Sequence, residues 1–310
     1  MYCVEDFFKQ QEKVLGLELI AGKKGLTRKI LTPEVHRPGL ALAGYLKGYK
    51  AKRMLVFGRT EAQYLKELSK EERCERLKAI LSPQMPAAIV AKKYKVPAEL
   101  IALFEARKIP LFQTQMGAMQ LLGKLTVILS DAFAPSNVCH GTLVEVFGVG
   151  VLIQGHSSVG KSETALGLVH RGHRLIADDA VQVTLKEGGV LEGSGLELAR
   201  HMMEIRGIGI INIAYLYGAV CVREKKNIDI IVSLEMWDDQ HTYERVGLEE
   251  RSSDMLGCCL PFYVLPVKPG RDVVLLLETI ALNFRLKHMG LNSAKEFTEK
   301  LHAFIKRDKK

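Results

Sequence analysis

Val149-Gly150-Val151-Leu152-Ile153 is an apolar run of strand length. The residues just beyond it, Gly155-His156-Ser157-Ser158-Val159-Gly160-Lys161-Ser162, satisfy GxxxxGK[ST] at every fixed position. Chance alone places such an octamer in a chain this long about 1% of the time at average residue frequencies. Its surroundings strengthen the reading, because Glu163-Thr164-Ala165-Leu166-Gly167-Leu168-Val169 follows with its apolar residues on one side of a helix. Strand, glycine loop and helix form the arrangement phosphate binding requires. The glycines let backbone N–H groups turn inward around phosphate oxygens, and the helix N-terminus adds its dipole. Lys161 is placed to neutralise β- and γ-phosphates, and Ser162 to offer its hydroxyl to Mg²⁺.

Outward from this loop, His173-Arg174-Leu175-Ile176-Ala177-Asp178-Asp179 reads as a strand that ends in two carboxylates. A strand lying beside the loop and closing on Asp suits holding Mg²⁺ or deprotonating a nucleophile. Adjacent strand residues point to opposite faces, so the two aspartates take different jobs. Short β-type runs surround these elements at Thr142 to Phe147, Val181 to Leu185, Ile208 to Ile213 and Ile228 to Leu234. Gly188-Gly189 and Gly193-Ser194-Gly195 read as tight turns, which predicts hairpins and a mixed sheet. Two helices end the chain, Asp272 to His288 and Ser293 to Lys306, the second presenting Phe297, Leu301, Phe304 and Ile305 on one face.

From Arg53 to Val127 the texture differs. Strands at Met54 to Phe57, Ala87 to Ala91 and Pro110 to Phe112 alternate with helical patterns, which predicts a small βα domain with parallel pairing. Ser69-Lys70-Glu71-Glu72 has capping-box spacing, and Pro97 reads as a first helical residue. This half shows no phosphate fingerprint and no clustered His or Cys. Asp131 to His140 loses periodicity and carries Pro135, Ser136 and Asn137, a linker reading that divides the chain into domains 1–131 and 132–310.

With 310 residues, 47% of them hydrophobic and 25% charged, the chain is long enough for two cores and too apolar for disorder. No apolar run reaches the roughly 18 residues of a membrane span, Glu278 interrupting VVLLLETIAL. Glu5 and Asp6 stand where a signal peptide wants basic residues. Six cysteines without CxxC spacing read as reduced thiols in a cytoplasm. The net charge of +9 favours acidic partners, but no basic stripe with interleaved aromatics points to nucleic acid.

Further motifs carry a resemblance. RHMMEIRGIGIINI (Arg200 to Ile213), YERVGL (Tyr243 to Leu248) and PVKPGRDV (Pro266 to Val273) follow the loop in order, and RPGLALAGY (Arg37 to Tyr45) precedes it. Together they make the chain resemble the bacterial HPr kinase/phosphorylase family over nearly its whole length. The resemblance implies an α/β protein with a small parallel-sheet N-terminal domain. It implies a C-terminal P-loop kinase domain on a mixed, β-rich sheet, similar to PEP carboxykinase.

The implied activity is bifunctional: ATP, or pyrophosphate, phosphorylates a regulatory serine of the phosphocarrier protein HPr, and inorganic phosphate removes the group to give pyrophosphate, as part of carbon catabolite regulation. By position, Gly155 to Ser162 bind the nucleotide phosphates. Ser162 and Glu204 hold Mg²⁺. Asp179 is the general base, His140, Lys161 and Arg245 are further catalytic positions, and Met203 to Asn212 match the signature stretch. Pro266, Val267, Lys268, Pro269, Gly270 and Arg271 form the dephosphorylation loop. A cytoplasmic homo-hexamer is also implied. His156 and Ser158 depart from the Asp and Gly the family more often carries, which bears on the choice between nucleotide and pyrophosphate.

Without the resemblance, Glu204 and Arg206 read as a surface ion pair, and His140 as a loop histidine. Two other functions fit the loop alone: a small-molecule carboxykinase-like enzyme, and a nucleotide-sensing regulator that binds nucleic acid through its positive charge.

Overall fold

A computed structural model describes residues 2–49, 52–240 and 250–308. The chain separates into two compact units, Met1–Ala134 and Pro135–Lys310.

In the first unit the elements run α1 (Val4–Leu15), β1 (Glu18–Ala21), β2 (Val35–His36), α2 (Gly39–Leu42), β3 (Met54–Phe57), α3 (Arg59–Glu67), α4 (Lys70–Ile80), β4 (Ala88–Val90), α5 (Ala98–Ala106), β5 (Leu111–Gln113) and α6 (Ala118–Ala132). The sheet order is β1-β5-β4-β3-β2, with β2 to β5 parallel as predicted and β1 added antiparallel at one edge. Both faces are covered, so the strands read as unbroken apolar runs rather than alternating ones. Leu55, Phe57, Ala88 and Val90 pack against Leu65, Leu77 and Phe104, while Met54, Val56 and Ile89 meet Phe7, Leu121 and Leu125. Ser69 and Glu72 form the predicted reciprocal cap at the start of α4. Pro97 stands one residue earlier than expected: its ψ of 141° is extended, and the helix begins at Ala98.

The second unit contains β6 (Ser136–His140), β7 (Thr142–Val146), β8 (Val149–Gly155), α7 (Lys161–His170), β9 (Arg174–Ala177), β10 (Ala180–Lys186), β11 (Val190–Gly195), β12 (Met202–Ile205), β13 (Gly209–Asn212), α8 (Ile213–Tyr217), β14 (Lys225–Asn227), β15 (Ile230–Met236), β16 (Ser252–Met255), β17 (Cys258–Val267), α9 (Val273–His288) and α10 (Ser293–Asp308). Among the described residues a six-stranded mixed sheet has the order β16-β17-β15-β8-β7-β9, and a four-stranded antiparallel sheet the order β14-β11-β10-β6. Successive residues of the six-stranded sheet serve different layers, as the two-residue period of a strand requires. Val144, Ile153 and Val232 face α7 and α9 through Ala165, Leu168, Leu277 and Ala281. Their neighbours Leu143, Leu152 and Ile231 face Val181, Val183 and Leu191 of the smaller sheet.

Two expectations change, and one strand went unread in the sequence. The linker shrinks to Phe133-Ala134-Pro135, because Ser136–His140 is the edge strand β6 paired with β10. Its side chains are mostly exposed, so backbone pairing holds it and no apolar alternation marks it. Gly188-Gly189 is a hairpin turn, but Gly193-Ser194-Gly195 lies inside β11. A Cβ on Gly193 would come within 2.3 Å of Leu143 Cδ2, so glycine serves close sheet-to-sheet packing there. The ten-residue strand β17 is masked in the sequence by Pro261 and Pro266. In the strand registers residues Cys258 to Pro261 pair with β16 and residues Phe262 to Val267 with β15, which accommodates both prolines.

Candidate active site

β8, β15 and β17 run parallel, so their carboxyl ends meet at one edge of the six-stranded sheet. Gly155 ends β8 with φ +140°, and a Cβ there would sit 2.4 Å from the Leu234 carbonyl of β15. Only glycine lets the chain turn out of the sheet at that point. Buried Val159 pins the loop from below, Ser158 takes φ +73°, and Gly160 takes φ +98° as the N-cap of α7. Ser158 occupies a left-handed position that glycine adopts at less cost. The Lys161 ammonium curls back under the loop and donates to the carbonyls of Gly155 and His156 at 3.0 and 3.1 Å. The hydroxyls of Ser157 and Ser158 accept from Arg206 at 3.1 and 2.5 Å.

The strand bearing the two aspartates does not adjoin β8, because β7 lies between them. β7 is antiparallel to both, so the carboxyl ends of β8 and β9 still reach the same edge and Thr142, at the start of β7, sits between them. The Thr142 hydroxyl donates to Asp178 Oδ1 at 2.7 Å, and Ser162 Oγ donates to the same oxygen at 3.0 Å. The backbone N–H of Glu204 approaches Asp178 Oδ2 at 3.4 Å and brings the β12–β13 hairpin to the site. Asp178 is only 7% exposed. Burial raises its pKa above the usual carboxylate range, against the hydrogen bonds from Thr142 and Ser162 that favour the ionised form.

Asp179 differs in every respect. It holds φ +64°, its side chain is 79% exposed, and its carboxylate lies 3.6 Å from His140 Nδ1, beyond hydrogen-bond range. β6 sets His140 there by pairing it with Ala180, and Gly141 donates its N–H to the Asp179 carbonyl.

At the end of β17, Pro266 and Val267 pair with Glu235 and Met236, and Lys268 to Arg271 make the predicted turn, with Gly270 at φ +82°. The Lys268 ammonium stands 4.4 Å from the centre of the Trp237 ring, and the Arg271 guanidinium 5.9 Å from it.

The structure therefore gathers His140, Gly155 to Ser162, Asp179 and the backbone of Glu204 about one sheet edge, and sets Pro266 to Arg271 on that same edge. The expected Glu204–Arg206 surface pair does not form as such, since Arg206 spends its donors on the two loop serines. Arg245 lies outside the described residues. Reading the residues alone missed Thr142, and it undervalued Arg206, whose place at the hairpin turn after Glu204-Ile205 was the available signal. Among the described residues no group of three or more His, Cys, Asp or Glu could cage a metal. The oxygens of Asp178 and Ser162 instead suit an Mg²⁺ that keeps waters and phosphate oxygens as its other ligands. Chemically, such an edge offers free helix N–H groups and a lysine for an anion, one buried carboxylate, and one accessible carboxylate for a proton.

Comparison with known proteins agrees over both units. The HPr Serine kinase N terminus family model matches residues 3–129, and that of the HPr Serine kinase C-terminal domain matches residues 131–301. An HPr kinase/phosphorylase of Geobacillus kaustophilus is 45% identical over 285 residues, covering 92% of each chain. One from Brevibacillus brevis is 43% identical over 285 residues, again 92% of each. A solved structure, the Hpr(Ser) kinase/phosphatase from Coxiella burnetii, is 33% identical, covering 52% of this chain and 98% of that one, with a TM-score of 0.47. With both family models matched across most of its length, the chain belongs to the HPr serine kinase/phosphorylase family of enzymes.

Proposed function

We propose that this chain phosphorylates a serine of HPr with ATP or pyrophosphate, and reverses the transfer with inorganic phosphate to give pyrophosphate, in the service of carbon catabolite regulation. The observation that carries this reading is the meeting of the Gly155–Ser162 loop, buried Asp178 and accessible Asp179 at one sheet edge. The domain beyond residue 131 is read as a carboxykinase-like P-loop core.

In the forward direction the Asp179 carboxylate takes the proton as the serine oxygen attacks the terminal phosphorus and the bridging P–O bond breaks. In reverse, a phosphate oxygen attacks phosphoserine, and the same carboxyl group returns the proton to the departing serine oxygen. His140, 3.6 Å from Asp179, stands beside that carboxylate at the same edge. The loop N–H groups and Lys161 hold the donor phosphates, Arg206 draws Ser157 and Ser158 around them, and Lys268 and Arg271 supply positive charge to the incoming phosphate. Mg²⁺, when held by Ser162 and Glu204 together with the adjoining Asp178 carboxylate, would neutralise charge on the phosphates. Arg245 is proposed for the same electrostatic task from its sequence match.

The exposed apolar side chains Leu198, Ile210, Tyr215 and Val220 favour self-association, in keeping with a homo-hexamer, and α10 exposes Phe297 and Phe304 for a protein partner. No helix among the described residues is long and apolar enough to cross a membrane, and the free cysteines suit the proposed cytoplasmic setting.

Incubating the chain with HPr, ATP and Mg²⁺ and weighing HPr by mass spectrometry tests the function. One added phosphoryl on a serine is the expected product, and an unmodified HPr contradicts the reading. Salt-sensitive nucleic-acid binding with no transfer would favour the regulator reading instead.

Asp178 adds a pH prediction. Its raised pKa keeps the proton on to higher pH, and Mg²⁺ must displace that proton, so Mg²⁺ binding strengthens as pH rises. Calorimetric titrations carried upward from acid pH should show this trend, and Asp178→Asn should flatten it. A wild-type affinity independent of pH contradicts the assignment.

A further inference from the structure

We infer that Arg171, at the far end of the helix that follows the phosphate loop, is a positioning residue that sets the Lys268–Arg271 turn. α7 and α9 meet where Val274 lies over Gly167; a Cβ at Gly167 would approach Val274 Cγ2 to 2.7 Å, so the helices touch closely there. A second meeting joins Arg171 to Glu278. Both meetings advance by four residues, 167 to 171 and 274 to 278, so the helices lie side by side and run the same way.

Arg171 fastens this pair. One of its nitrogens donates to Glu278 Oε2 at 2.8 Å and the other to Asp272 Oδ2 at 2.9 Å. The other oxygen of Asp272 caps α9 by accepting from the Leu275 N–H at 2.9 Å. Hydrogen bonding from Leu275 and Arg171 holds the Asp272 pKa below its usual value. Glu278 is held from its other side by His173 Nε2 at 3.0 Å, and His173 is itself buried edge-on against Phe147.

Asp272 directly follows Arg271. A residue whose neighbour along the chain is fixed has its own backbone fixed to within one peptide unit. At its other end the turn is anchored where the Trp237 N–H donates to the Val267 carbonyl at 2.9 Å. The turn is thus clamped twice, by β15 before it and by Arg171 after it. The second clamp ties it to the helix whose N-terminus carries Lys161.

The consequence for turnover rests on the proposed function, in which Lys268 and Arg271 serve the incoming phosphate. The placement itself does not, and Trp237, the chain's single tryptophan, reports on it directly through its stacking with both residues.

The full chain is compared with Arg171→Gln, Arg171→Lys and Asp272→Asn, the last keeping a competent cap while losing the charge pair. Arg171→Gln and Asp272→Asn should each lower kcat/KM for pyrophosphate formation about tenfold and HPr phosphorylation less than about threefold. Both should make Trp237 more open to acrylamide quenching, and Arg171→Lys should restore part of each. Equal losses in the two directions, or unchanged quenching in both charge-removing variants, overturns the inference. If the wild-type chain transfers no phosphoryl, the proposed function fails while the quenching comparison still decides whether Arg171 places the turn.

Discussion

Asp179→Asn should silence phosphoryl transfer in both directions, by about two to four orders of magnitude, while nucleotide binding persists. The fold should tolerate it. The side chain is 79% exposed and the backbone left-handed at φ +64°, a conformation asparagine adopts as readily as aspartate, so stability should move by less than about 0.5 kcal/mol. What disappears is the capacity to accept the serine proton and to return it. Nucleotide affinity should survive because the groups proposed to hold phosphate belong to Gly155–Ser162, not to Asp179. Rates of HPr phosphorylation and of pyrophosphate formation, measured beside nucleotide affinity, check this. Retained turnover in either direction would mean that another group moves the proton. His140, 3.6 Å away, would be the next candidate, and His140→Ala would then carry the larger loss.

Gly155→Ala attacks the same site through the backbone. The added methyl would lie 2.4 Å from the Leu234 carbonyl and 3.0 Å from Val159 Cγ1. The first of these is a strand backbone atom in register with Gly155, so it cannot yield without opening the ladder between β8 and β15. Overpacking together with the strained φ of +140° should cost about 2 to 4 kcal/mol and remove nucleotide binding. Gly160→Ala is the internal comparison. It has φ +98° but nothing within 4 Å of the new atom, so it should cost only about 1 to 2 kcal/mol. Urea unfolding of the two variants gives the order directly, and equal destabilisation would mean that β15 does not confine the loop.

The parts of the site that are contiguous in sequence were legible there. Gly155 to Ser162 is one segment between an apolar strand and an amphipathic helix, and the conformations of its glycines follow from that placement. Met54–Phe57 has the bounds its apolar run suggests, because a strand buried on both faces leaves a continuous signal. What stayed hidden depends on distant pairing. Thr142 meets Asp178 only because β7 inserts between β8 and β9. Arg206 reaches Ser158 across 48 residues of chain, through a hairpin whose register no local pattern states. β6 is an exposed edge strand, and its polar residues look like linker until β10 pairs with them. The surroundings of Asp178 and Asp179 differ, one buried and one exposed, and which of them is buried follows from Thr142 and Ser162 closing over one carboxylate.

Real-time phosphorus NMR tests most directly whether one site runs the transfer both ways. HPr, ATP and Mg²⁺ are supplied first, and inorganic phosphate is added once phosphoserine has formed. The account predicts that each phosphoserine lost yields one pyrophosphate, and that Asp179→Asn lacks both phases. Phosphoserine that decays to free orthophosphate without pyrophosphate, or a reverse phase that survives Asp179→Asn, would contradict it.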